Sequence, residues 1–276
     1  MEGGLRKVQL AELAILDEIV RICEEYKIIY YISGGTYLGA VRHGGFIPWD
    51  DDADIAMPRS EFDKFISIAK TELKENFEIK TYQGDPEYPY YVPKVIDKSV
   101  KLLDKSGMYE KIVPAWVDIF PLDGLPKNEF LCSIHKFRLL CLRALYNLSN
   151  FDTLVKVNKK DRPFIEKILI FIGKNTNIFS FLDSRKRMDA ITKCLKLYSE
   201  DKSEIYMNFM GSYKFKSILS KKEIYGNGAS YSFEDRLLNG PENFDAYLTQ
   251  IYGNYMEIPN IEDQNKHETL VIIDKE

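Results

Sequence analysis

An α+β fold is predicted for this chain, with an α/β order of elements as the alternative over residues 1–125, and three observations carry the prediction. A helical apolar repeat runs straight into a β-branched and aromatic stretch at residues 28–32. Strand-like and helical runs then alternate as far as Phe120. From Pro126 onward the periodicity is mainly helical.

The elements follow in order. Over residues 10–26, Leu13, Leu16, Ile19, Val20 and Cys23 recur at spacings of a few residues with Glu12, Asp17, Glu18 and Arg21 between them, as on a helix with one buried face. The run at 28–32 reads as a strand, stopped by Ser33-Gly34-Gly35, and residues 36–42 read as a short helix leaving that turn. A loop follows at residues 43–49, and the second half of Asp50-Asp51-Asp52-Ala53-Asp54-Ile55-Ala56-Met57, closed by Pro58, reads as a strand. Phe62, Phe65, Ile66, Ala69 and Leu73 restore helical spacing over 60–73; strand-like pieces come near 77–82, 91–96, 100–103 and 115–120. Pro121 and Pro126 bracket a turn, after which residues 130–148 and 163–198 are helical with a break at Gly173 and Asn175. Phe244, Tyr247, Leu248, Ile251 and Tyr252 form a last one-faced stripe ended by Gly253. A core over 1–125 and a mainly helical extension over 126–276, packed together as one globular unit, are expected.

Composition excludes several classes. The 276 residues carry 38 basic and 42 acidic side chains and a net charge of −4, which gives no electrostatic ground for wrapping nucleic acid. Cys23, Cys132, Cys141 and Cys194 lie far apart in apolar runs, so they read as buried thiols of a reducing compartment rather than as a metal pair or a disulfide framework. The first residues lack an apolar signal core, and the apolar patch at residues 168–172 is far below the roughly 20 residues of a spanning helix. A cytoplasmic protein is expected, with a peripheral seat on the inner face of the membrane as the alternative.

Asp52-Ala53-Asp54 is the most informative feature. Alternate side chains of a strand share a face, so this spacing aims two carboxylates together, and two like charges so placed call for a hard cation such as Mg²⁺ or Mn²⁺. The plain alternative is a solvated acidic turn. Against it stand Trp49 before the run and Ile55, Ala56 and Met57 after it, an apolar frame in which idle acids are costly. Asp50 and Asp51 add charge beside the pair as further ligands or as their supports. Asp118 interrupts Trp116-Val117-Asp118-Ile119-Phe120 as a third carboxylate in an apolar strand, its alternative being an edge position that meets water. Gly34 and Gly35, followed by Thr36 at the start of a helix, let a backbone approach a phosphate and offer it a helix N-terminus. Arg42, Arg59 and Lys94 are candidate phosphate contacts, with Arg42 and Lys94 favoured for their apolar neighbourhoods.

Ser33-Gly34-Gly35-Thr36, Arg42-His43-Gly44-Gly45-Phe46-Ile47-Pro48-Trp49 and Asp50-Asp51-Asp52-Ala53-Asp54-Ile55-Ala56-Met57-Pro58-Arg59 together resemble the signature of the LicD family, which also includes the fukutin-type enzymes. Val117-Asp118-Ile119-Phe120-Pro121 and Tyr247-Leu248-Thr249-Gln250-Ile251-Tyr252-Gly253-Asn254-Tyr255-Met256 are similar to further family segments. The resemblance implies a nucleotidyltransferase-like mixed sheet in which Gly34 and Gly35 form the turn, Asp52 and Asp54 the paired carboxylates and Asp118 the third, with Mg²⁺ or Mn²⁺ held among them. It implies a phosphotransferase that moves phosphocholine from CDP-choline to a hydroxyl of a teichoic acid, lipopolysaccharide or capsule glycan, lipid-linked or free, and releases CMP. The alternatives are a phosphoglycerol or ribitol phosphate donor, nucleotidyl transfer from a nucleoside triphosphate, and a binding protein without chemistry. For a choline-bearing donor, Tyr88, Tyr90, Tyr91 and Trp116 are the aromatic side chains expected near its ammonium group.

Overall fold

The computed structural model describes residues 2–104, 110–150, 182–261, 264 and 269–272. The expected apolar patch at 168–172 and the helical break at Gly173 and Asn175 lie outside the described residues.

A mixed six-stranded sheet carries the fold. Its strands are β1 (Tyr31–Ile32), β2 (Asp54–Pro58), β3 (Phe77–Lys80), β4 (Lys94–Asp104), β5 (Lys111–Leu122) and β10 (Thr269–Ile272). Their order is β1-β2-β5-β4-β10, with β3 also on β4; β2 and β5 run parallel and the other pairs antiparallel. Helices α1 (Glu2–Glu25) and α3 (Arg59–Glu72) pack on the sheet, and Leu16, Ile19, Phe65, Ile55 and Val117 meet in the core between them. The helix α2 (Gly34–His43) leaves β1 and ends at Gly44, whose φ of 70° supplies the left-handed turn that terminates a helix.

The chain after residue 126 contributes α4 (Glu129–Ser149), α5 (Ser184–Leu195) and α6 (Phe244–Tyr252), begun by the side chains of Asn128, Asp183 and Asn243, each accepting from a backbone N–H three residues on. Two small ribbons lie among them, β6 (Ile205–Met207) with β7 (Ile218–Ser220), and β8 (Ala229–Phe233) with β9 (Arg236–Gly240). Leu139, Tyr146, Met188 and Ile191 make a second apolar cluster where α4 meets α5. Among the described residues no helix is long and apolar enough to cross a membrane.

Three expectations need correction. The strand expected at 28–32 shrinks to two residues because Lys27, at a φ of 51°, and Ile28, whose N–H donates to the Cys23 carbonyl at 2.7 Å, are spent closing α1. The strands expected at 91–96 and 100–103 are one strand, β4, whose register shifts between Asp97 and Lys101; Asp97 turns inward there and accepts from the N–H and hydroxyl of Ser99. The cysteines are free thiols, and Cys23 and Cys194 are buried, but Cys132 is half-buried and Cys141 exposed, since α4 turns Leu139 to the core and Cys141 lies two residues round the helix from it.

Glu12 and Glu18, set between the apolar positions of α1, are both buried. Burial alone would raise the Glu18 pKa. Donation from the Arg21 guanidinium at 2.8 and 3.1 Å, from the Lys74 N–H at 3.0 Å and from its ammonium outweighs burial and holds the pKa at about 2. Such a carboxylate contributes stability that is fully present above its unfolded value of about 4.5 and is lost as pH falls through about 2. Glu18→Gln should therefore cost about 1–3 kcal/mol at pH 7. The cost should vanish in urea melts taken near pH 2; a deficit persisting there would assign Glu18 a packing role instead.

Candidate active site

The sheet builds the site by placing Asp54 and Asp118 side by side. They are register partners across the parallel β2–β5 pair, and Lys94 is the register partner of Asp118 on its other side. The Asp118 N–H donates to the Ala53 carbonyl at 3.0 Å, so the two acidic segments are fixed by backbone as well. Asp50 and Asp52 come from the loop that enters β2. All four aspartates line one cavity of about 610 Å³, together with Ser33, Gly34, Gly35, Arg42 and Trp49.

The glycine turn brings two of these acids against the start of α2. Gly34 has a φ of 57°, and a Cβ on it would lie 2.7 Å from Asp54 Oδ2. A Cβ on Gly35 would collide with Asp50 Oδ2. The turn thus has a second use beyond exposing N–H groups to a phosphate: it leaves room for the carboxylates. Gly35→Ala, free of left-handed strain, should keep the fold and lower activity by about 10–100-fold by pushing Asp50 aside. Gly34→Ala should do the same and also cost about 1–2 kcal/mol, because its backbone is left-handed. Steady-state rates and thermal melts on the two variants check the pair.

Burial and mutual repulsion among the acids set the electrostatics of the cavity. Burial and the charges of Asp52, Asp118 and Asp50 raise the pKa of Asp54 well above the carboxylate range, with Lys94 acting against them. Burial raises Asp118, which Lys94 and Trp116 oppose: the Lys94 ammonium is 3.5 Å from Asp118 Oδ1, and the Trp116 Nε1–H donates to Oδ2 at 3.3 Å. Asp50 is pushed up to about 8 by burial and by Asp52 and Asp51. Behind the acidic loop, Gln9 on α1 donates to the carbonyls of Ile47 and Asp50, and Glu12, one turn further on, is 1% exposed with no hydrogen-bond partner on either oxygen. Burial and then the charges of Asp52, Asp51, Asp50 and Asp54 raise its pKa too. This surplus of buried negative charge fits a hard divalent cation. Among the described residues no three of these acids stand close enough together to hold a metal ion by themselves, so an ion here would need water or phosphate oxygens to complete its shell.

The other expected residues divide. Arg42 lines the cavity, where it lies 5.9 Å from the Trp49 ring centre and donates to the Tyr255 carbonyl at 2.7 Å. Lys94 faces a second, adjoining cavity. Thr36 is buried outside both, and its hydroxyl accepts the Asp54 N–H at 2.8 Å, so it holds β2 in place. Arg59 points away from the acids into a bidentate pair with Asp123. Tyr88, Tyr90 and Trp116 line the second cavity, whereas Tyr91 is buried beside Arg59 and Thr192.

Part of the large cavity comes from residues far along the chain. Asn208, Ser212, Tyr213, Tyr225, Tyr247 and Tyr252 close it, and the Tyr247 hydroxyl lies 3.2 Å from Ser33 Oγ beside the glycine turn. Tyr247 and Tyr252 belong to the helical stripe that the sequence shows, and the helix periodicity there was the one signal for them. Glu12 offered none, since a single acid among the polar positions of a helix reads as solvated.

Comparisons with known proteins match the segments that build this site. A LicD/FKTN/FKRP nucleotidyltransferase-domain family model matches residues 27–124, the span from the end of α1 through β5. The lipopolysaccharide cholinephosphotransferase LicD of Haemophilus influenzae is 32% identical over 270 residues, covering 95% of each chain. An uncharacterized protein of Rickettsia prowazekii, RP689, is 28% identical over 124 residues, 45% of this chain and 43% of that one. The human ribitol 5-phosphate transferase FKRP is 44% identical over 39 residues, 14% of this chain and 8% of that protein.

Proposed function

Because this chain belongs to the LicD family of transferases, alike over nearly its whole length to a cholinephosphotransferase, we propose that it moves phosphocholine from CDP-choline to a hydroxyl of a cell-surface glycan and releases CMP. The observation that carries this reading is the row of Asp50, Asp52, Asp54 and Asp118 at one end of a cavity large enough for a nucleotide, with a glycine turn and a helix N-terminus beside it. Asp52, Asp54 and Asp118 would hold Mg²⁺ or Mn²⁺, which when bound neutralises the diphosphate.

The chain's own groups divide the remaining work. The nucleoside end of the donor lies in the large cavity among Trp49, Tyr213 and Tyr252, with Arg42 at its wall. The start of α2 at Gly34 and Gly35 would meet the diphosphate, with the Tyr247 hydroxyl, 3.5 Å from the Gly34 N–H, beside it. The acceptor oxygen attacks the phosphorus that carries choline, a new P–O bond forms, and the P–O bond to CMP breaks. Asp118, oriented by Lys94 and Trp116, either completes the cation site at the attacking oxygen or takes the hydroxyl proton. Positioning and charge neutralisation dominate such a reaction.

CMP release from a panel of CDP-choline, CDP-ethanolamine, CDP-glycerol and CDP-ribitol, with and without a lipopolysaccharide or teichoic acid acceptor, tests the reading. Acceptor-stimulated release from CDP-choline, abolished in Asp52→Asn/Asp54→Asn, is the expected result. Release from a polyol donor alone would keep the chemistry and change the alcohol; pyrophosphate from a nucleoside triphosphate would replace the reading with nucleotidyl transfer.

A further inference from the structure

A second cavity of about 420 Å³ adjoins the first at Asp52 and Asp118, which line both. Its walls are mainly carbon, with the rings of Tyr88, Tyr90 and Trp116 facing it. The Lys94 ammonium sits 3.9 Å from the Trp116 ring centre, 5.5 Å from that of Tyr90 and 3.5 Å from Asp118 Oδ1. The fold therefore already seats a cation between two aromatic faces and a carboxylate, which shows what these walls accept. Asp85, Glu87 and Asp104 add negative charge round the same cavity.

We propose that this second cavity seats the quaternary ammonium head of the transferred alcohol and sets the donor preference of the enzyme. The inference rests on the phosphoalcohol-transfer reading above and deepens it. A trimethylated ammonium has no N–H to give a carboxylate, so aromatic faces within a negative field are its natural partners. A polyol would instead need partners for its hydroxyls, and on the aromatic walls two of the polar ends are committed: the Tyr88 hydroxyl donates to the Val92 carbonyl at 2.6 Å, and the Trp116 Nε1–H to Asp118. Reach agrees as well. Trp116 and Asp118 are two residues apart on one face of β5, about 7 Å along the strand, a span that the two-carbon bridge of choline covers from a phosphate held at Asp118. The incoming onium takes the place of the Lys94 ammonium over Trp116, and Lys94 swings on its flexible stem towards the phosphate.

Two measurements separate this inference from the reading beneath it. The chain has two tryptophans, so Trp49→Phe leaves Trp116 as a lone reporter inside the second cavity. Phosphocholine with Mg²⁺ should quench its fluorescence saturably, and glycerol 3-phosphate should not. In the CMP-release assay, Tyr90→Ala should raise KM for CDP-choline about tenfold and leave kcat/KM for CDP-glycerol within twofold of the parent, with Tyr90→Phe restoring the choline preference. Equal losses on both donors, or phosphocholine that quenches Trp49 in Trp116→Phe and leaves Trp116 in Trp49→Phe unquenched, would overturn the assignment while transfer itself stands. Absence of CMP release from every donor would instead overturn the transferase reading, with Trp116 quenching still testing the cavity.

Discussion

Asp54→Asn should lower the transfer rate by about a thousandfold or more and at the same time make the metal-free protein more stable. Asp54 is half-buried at the cavity wall, abuts Gly34 and shares its surroundings with Asp50, Asp52 and Asp118. One uncharged amide of the same shape removes repulsion that the folded state alone suffers, and the backbone bond from the Asp54 N–H to Thr36 is untouched. The gain should be about 1–2 kcal/mol in EDTA, and Mg²⁺ should raise the melting temperature of the parent more than that of the variant. A rate within tenfold of the parent would remove Asp54 from the chemistry. Lower stability in EDTA would mean that its carboxylate is held by structure rather than strained by it.

The same group of acids fixes the pH response. Asp50, Asp54, Asp118 and Glu12 all keep their protons to higher pH in the folded protein than in the unfolded chain, Asp50 to about 8. A group with a raised folded pKa contributes stability that is fully present below its unfolded value, near pH 4, and is lost as pH rises towards the folded one. Metal-free protein should therefore weaken from about pH 5 to pH 8, the reverse of the Glu18 effect below pH 4.5. Melts in EDTA across that range should show the fall, and saturating Mg²⁺ should flatten it.

How far the site was legible from sequence depends on how local each of its parts is. Ser33 to Pro58 could be read because a glycine turn, an acid pair and an apolar strand punctuate one continuous segment, and the partnership of Asp54 with Asp118 follows once both lie on neighbouring strands. Thr36 is expected beside the substrate at the turn, and its hydroxyl meets the Asp54 N–H; nothing in a sequence says whether a hydroxyl faces a cavity or the strand beside it. Tyr213, Tyr225, Tyr247 and Tyr252 reach the cavity across about two hundred residues, through packing that no short-range pattern encodes. Glu12 and Glu18 are the clearest failures of periodicity. The helix turns them towards an acidic loop and a lysine that are distant in sequence, and what they meet there gives one a raised pKa and the other a depressed one. The short ribbons β6–β7 and β8–β9 leave no sequence pattern for a related reason: strands of three to five residues are too brief for alternation to stand out.

Arg59 joins the fold to the extension, and its removal should be the most costly single change to stability. Its guanidinium donates to both carboxylate oxygens of Asp123, at 2.7 and 2.9 Å, and both residues are buried, Asp123 to 1% exposure. Asp123 exchanges backbone hydrogen bonds with Met207 of β6, so one ion pair ties the start of α3 and the segment after β5 to a strand of the C-terminal half. Arg59→Met or Asp123→Ala leaves a buried charge without its partner, and each should cost about 3–5 kcal/mol, a large share of the roughly 5–15 kcal/mol that holds a domain folded. Arg59→Met/Asp123→Leu, which buries no charge, should recover most of that loss, and a double-mutant cycle in urea gives the coupling. The cycle also decides between two roles for Arg59. As a phosphate contact, its loss would depress the transfer rate with stability intact. With its fork spent on Asp123, the single variants should be unstable, and the double variant, refolded and measured below its melting temperature, should transfer at near the parent rate.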